Sequence, residues 1–167
     1  QAPPKQGLYN PAFEKDSCGV GFVVNVKGRK SHQIVQQALT VLNNLRHRGA
    51  CGCEVNTGDG AGILLQIPHN FLKECAAHGG LKLPPAGEYG VGMVYLSPDA
   101  KEREAGKKIF AEIVKEEGQL FLGWRSVPTN NKTLGPTAIA SEPQVCQVFI
   151  GRAPNLKDNL SFERKLY

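Results

Sequence analysis

The chain has 167 residues, 41% of them hydrophobic and 21% charged, the balance of a soluble globular domain long enough to build a core. No apolar run reaches membrane-spanning length, and residues 1–15 lack the apolar stretch of a secretory signal. The net charge of +5 does not indicate nucleic-acid binding, because the basic residues are dispersed and aromatics are not interleaved with them.

Residues 1–16 carry three prolines and no periodicity, and read as an extended leader. The first residue is Gln1 rather than methionine, as expected of a processed chain or a piece of a longer one. Gly19–Val26 has the composition of a strand, closed by a solvated turn at Lys27-Gly28-Arg29-Lys30. Ser31 suits an N-cap, and Ile34, Val35, Ala38, Leu39, Val41, Leu42 and Leu45 form a helical stripe expected to end near Arg46–Gly49. Cys51–Gly62 is glycine-rich and reads as a loop, followed by a short strand over Ile63–Ile67 that Pro68 stops.

Asn70 is placed to cap a helix over Phe71–Ala77, and Tyr89–Leu96 reads as a strand. Ser97-Pro98-Asp99 combines a cap, a first-turn proline and an acid. The helix it opens is expected to run to about Glu117 and to bury Ile109, Phe110, Ile113 and Val114. Gln119–Val127 and Val145–Ile150 read as strands with a polar loop, Pro128–Pro136, after the first of them. A last helix is expected after Asn159 or Ser161. Strands and helices mix without a regular βαβ spacing, which favours α+β over a doubly wound parallel sheet.

Chemistry concentrates at few places. Cys18 heads the first apolar run, with Gly19 and Gly21 beside it. A thiol next to backbone that can be approached closely suits a nucleophile, yet a free cysteine packs equally well as a small hydrophobe. On the residues alone the second reading is favoured. Gly58-Asp59-Gly60-Ala61-Gly62 lacks the Lys-Ser/Thr of a phosphate loop and precedes a strand rather than a helix, which leaves a tight turn. Cys51-Gly52-Cys53 with His47 and His69 falls short of zinc-ligand spacing, so no metal is expected. Five cysteines at irregular spacing make no disulfide framework and suit a reducing compartment. A Cys18–His dyad has four histidines to choose from and none is privileged.

Several stretches together resemble glutamate synthase. They are Gly7-Leu8-Tyr9-Asn10-Pro11 and Glu14–Phe22, then His47-Arg48-Gly49-Ala50, Thr57–Ile63 and Pro68-His69. Further on come Gly123–Pro128, Leu134-Gly135, Glu142-Pro143 and Gln147–Ile150, in family order across almost the whole chain. The resemblance implies part of a class-II glutamine amidotransferase domain with the N-terminal-nucleophile (Ntn) hydrolase fold. That fold is an αββα sandwich of antiparallel sheets, expected to be incomplete within these residues. It makes residues 1–17 a propeptide, residues 18–167 the N-terminal portion of the domain, and Cys18 the catalytic nucleophile once it becomes the first residue. Arg48, Asp59 and Gly60 fall on family motifs and are expected to support the site around Cys18, with Arg48 holding the loop. Cys51, Cys53, Cys75 and Cys146 receive no chemical role.

The resemblance implies glutamine as substrate, with the released ammonia used to make glutamate from 2-oxoglutarate. It implies no cofactor in this stretch, with FMN and an iron–sulfur cluster in later domains. Partners would be the remaining synthase domains and an electron-donor subunit or ferredoxin, with no nucleic acid or membrane. The compartment would be plastid or cytoplasm. The family's substrate-gripping Arg-Tyr-Ser-Thr-Asn motif, its Asn-Gly oxyanion pair and its later aspartate do not occur in these 167 residues. Loss of an oxyanion donor typically costs about 10²–10³ in rate, so these residues alone are expected to be a weak or inactive glutaminase. The alternative is a non-catalytic folding or interaction module.

Overall fold

The computed structural model describes residues 4–8, 10, 19–45, 54, 58 and 60–166. They fall into two units, residues 1–64 and 65–167.

In the first unit, α1 spans His32–Asn44. Ser31 occupies the N-cap in extended backbone, but its hydroxyl makes no capping bond. The apolar stripe lies on the protected side, with Ile34, Val35, Ala38, Val41 and Leu42 half-buried, whereas Leu39 is exposed. The helix has Asn44 as its last residue and Leu45 at the C-cap, while Arg46–Gly49, where its end was expected, lie outside the described residues. The basic turn forms as expected. Asn25 Oδ1 accepts from the N–H groups of Lys27 and Arg29, and Gly28 takes a positive φ of 65°.

Gly19–Val26 does not form the expected strand. Val20, Phe22, Val24 and Val26 alternate along it and are all largely exposed. Ile63–Ile67 likewise lacks strand pairing, and Leu64 is fully exposed. β-propensity describes a fit to a half-buried pleated surface, and a strand exists only when a neighbour takes its hydrogen bonds.

The second unit is built on a three-stranded antiparallel sheet in the order β1-β3-β2. Its strands are β1 (Tyr89–Leu96), β2 (Leu120–Ser126) and β3 (Gln144–Gly151). Between β1 and β2 runs α3 (Ala100–Glu116), and β3 inserts between those two strands, pairing Tyr89 with Gly151 on one side and Ser126 with Cys146 on the other. This is the mixed, non-Rossmann arrangement that the spacing favoured.

Side chains alternate across the sheet. On one face Phe149 and Tyr89 meet α2 (His69–His78) and the connector after it, forming a core with Leu72, Ala76 and Leu83. Leu81, Val91 and Leu122 pack against that core. Leu122 reaches it through a bulge between Phe121 and Gly123. Gly123 sits at φ 143°, which favours glycine, and a Cβ there would lie 2.5 Å from Leu81 Cδ2 and displace that side chain.

On the other face Phe110 of α3 meets Trp124 edge-on, with ring centroids 5.3 Å apart. Arg103, Gly106, Phe110 and Val114 mark the protected side of α3. Ile109 and Ile113 do not belong to it. They are 56% and 52% exposed, because turning Phe110 toward Trp124 swings its flanking residues outward. Asp99 rather than Ser97 caps this helix, accepting from the N–H groups of Lys101 and Glu102, and such a cap contributes about 1 kcal/mol. Ser97 instead accepts from Asp99 N–H and donates to Glu102.

Two helices were placed differently from expectation. α2 begins at His69, ahead of Asn70, with Pro68 at its N-cap. α4 (Pro136–Ala140), which was not expected, begins on the last residue of the Pro128–Pro136 loop, with its proline in the first turn.

α5 (Asn159–Leu166) closes the unit. Arg152 anchors it, donating to Gly87 O and Asn159 Oδ1 while its guanidinium lies 5.5 Å from the Phe162 ring centroid. Asp158 accepts from Ser161, whose hydroxyl and N–H hold that carboxyl below its usual range. This stabilisation is present above the unfolded carboxylate pKa and fades as pH falls through the lowered folded value.

Candidate functional site

Cys18, Arg48 and Asp59 lie outside the described residues, as do His47, Cys51 and Cys53. What the structure places is the ground next to Cys18. Gly19 is half-buried, and the backbone after it runs against α1 at Gly21. A Cβ on Gly21 would stand 2.5 Å from Val41 Cγ1, so the glycine lets the segment lie directly on the helix. The close backbone approach in this segment is made at Gly21, against the half-buried Val41 of α1. The outward side of the same segment carries the exposed Val20 and Phe22.

Gly60, the remaining sequence-predicted site residue, is exposed, and a Cβ there would meet nothing within 4 Å. Among the described residues it is in open space rather than pressed against a neighbour.

The histidines considered as partners for Cys18 have other company where they are described. His32 meets Gln36 at 2.8 Å along α1, and His69 Nδ1 meets Tyr89 Oη at 3.1 Å. His78 stands in the last turn of α2, where a cation complements the helix dipole. The described residues also give no fit to an iron–sulfur cluster, which takes about four thiolates. Cys146 is buried on the α3 side of β3, while Cys75 belongs to α2 on the opposite face. No group of three potential metal ligands occurs among the described residues, and no described helix is long and apolar enough to cross a membrane.

The chain is similar along its whole length to glutamate synthases. It is 50% identical to the NADPH glutamate synthase large chain of Bacillus subtilis over 100% of its own residues and 11% of that protein. It is 41% identical to the NADH glutamate synthase of Schizosaccharomyces pombe over 99% of its residues and 8% of that protein. It is 39% identical to the chloroplastic ferredoxin-dependent glutamate synthase of Oryza sativa over 92% of its residues and 10% of that protein. The chain thus spans about a tenth of the length of these relatives. Residues 18–167 match the family of class-II glutamine amidotransferases, and the chain belongs to that family.

Proposed function

We propose that residues 18–167 are the N-terminal portion of the glutaminase domain of a glutamate synthase, with Cys18 as its nucleophile and residues 1–17 as a propeptide. The observation that carries this reading is the family match, which begins at Cys18 and continues to the last residue.

After cleavage between Ser17 and Cys18, the new α-amine, with a typical pKa of about 7.7–8, takes the thiol proton near neutral pH. The thiolate attacks the side-chain amide carbon of glutamine. The C–N bond then breaks, ammonia leaves with the proton returned by the ammonium group, and a glutamyl thioester remains. Water hydrolyses the thioester to glutamate and restores the thiol. Arg48, Asp59 and Gly60 are assigned to the surroundings of Cys18 on their family motifs. In the whole protein the ammonia would aminate 2-oxoglutarate, with FMN and iron–sulfur chemistry in further domains.

We assign the complete domain the two-sheet Ntn sandwich. Supporting this, α2 covers only one end of its sheet face. On the same face Met93 and Tyr95 are 48% and 68% exposed, where a second sheet would lie.

The test is glutamine hydrolysis by the whole polypeptide prepared to begin at Gln1 and at Cys18. A peptide-bonded Cys18 nitrogen cannot serve as base, so the longer form should be slower by about 10²–10⁴-fold, the usual contribution of a positioned base. Equal rates would sink the terminal-amine mechanism.

A further inference from the structure

An open groove of about 600 Å³ lies in the second unit, between the start of α2 and the connector that follows it. Its volume falls in the range of small-molecule sites. Leu81, Pro84 and Pro85 supply an apolar wall, and His69, Lys73 and Lys82 line the same space. Among the described residues no acidic one lines it, and the first turn of α2 contains none. His69 and Lys73 are four residues apart on the helix and so share one face. Among the described residues, the carboxylate ion pairs engage Lys107, Arg152 and Lys165, leaving Lys73 and Lys82 without an acidic partner.

The histidine is held in place. Tyr89 is only 2% exposed, and burial pushes its phenol up from the ordinary value, so it keeps its proton at neutral pH. A buried hydroxyl needs an acceptor, and His69 Nδ1 lies 3.1 Å from it. With Nδ1 accepting from Tyr89, the ring's hydrogen on Nε2 is a donor left for the groove.

We propose that this groove binds a small organic anion, a carboxylate or phosphate ester with an apolar body. The anionic oxygens would meet Lys73, Lys82 and His69 Nε2, and the apolar part would rest on Leu81, Pro84 and Pro85. Charge-assisted hydrogen bonds from three donors supply the affinity for the anion, and the wall selects an organic molecule over a bare ion. The site does not depend on the assignment of Cys18.

The test is titration of the ¹⁵N-labelled 167-residue chain with benzoate, phenyl phosphate, inorganic phosphate and the neutral benzamide, following the amides of residues 69–85. At least one of the two organic anions should give saturable shifts, and benzamide should not. Saturation by benzoate alone assigns a carboxylate, and by phenyl phosphate alone a phosphate ester; either supports the site. Replacing both lysines, Lys73→Gln with Lys82→Gln, should raise Kd about tenfold or more without moving the thermal melt, since both side chains are exposed. The proposal is overturned by any one of four results. They are no saturable shift with either organic anion, equal binding of benzamide, an unchanged Kd in the double variant, or inorganic phosphate binding as tightly as the organic anions.

Discussion

Cys18→Ala, introduced into the whole polypeptide prepared to begin at residue 18, is expected to lower glutamine-dependent ammonia release by at least about 10⁴-fold. The magnitude follows from the covalent route. Without the sulfur no thioester forms, and what remains is the modest acceleration of a positioned amide facing water. Starting the polypeptide at residue 18 removes any dependence of propeptide cleavage on the substituted side chain. Retention of activity within about tenfold would show that another group attacks the amide, since such a loss is only about 1.4 kcal/mol.

The largest effect on stability is expected at Phe149. Its side chain is fully buried at the centre of the sheet, against Leu72, Ala76, Leu83 and Tyr89, with the Tyr89 ring centroid 6.3 Å away. Truncation to alanine combines lost burial with a cavity bounded by helix and sheet, at a cost of about 3–5 kcal/mol. Whole domains are stable by only about 5–15 kcal/mol, so Phe149→Ala should lose most of its cooperative thermal transition. Ile113→Ala is the control, because Ile113 is 52% exposed, and it should shift the melt little. A Phe149→Ala melt within a few degrees of the parent chain would mean that the core lies elsewhere.

The second unit was the legible part of the sequence. β1 occupies the expected Tyr89–Leu96, and β2 and β3 lie within a residue of expectation at each end. Their β-branched and aromatic runs find partners in one another, so composition and pairing agree. Gly19–Val26 carries the same kind of composition, but the described residues provide no ladder for it, and Val20, Phe22, Val24 and Val26 stay exposed. What sequence alone misses there is the partner, which is a long-range fact.

Other departures have a local physical cause. Pro136 after Gly135 is a good helix start, and it opens α4. Before α3 the cap was expected at Ser97 with Asp99 as a first-turn acid, but Asp99, which accepts from two N–H groups at once, takes the cap position. Ile109 and Ile113 fit an apolar period, but the large Phe110 ring fixed the helix rotation. The candidate site was legible in a different way. Cys18 stood out as chemistry beside small residues, yet nothing local separated nucleophile from core residue. The order of many short motifs is what points to the nucleophile reading, and the family match over residues 18–167 is the ground on which that reading is proposed.

The most direct measurement on Cys18 is mass spectrometry of the natural protein, quenched in acid seconds after mixing with glutamine and then digested. A peptide whose first residue is Cys18, carrying a glutamyl group on its sulfur, is the predicted result. A Cys18 still joined to Ser17 in active protein, or the glutamyl group on any other residue, would contradict it.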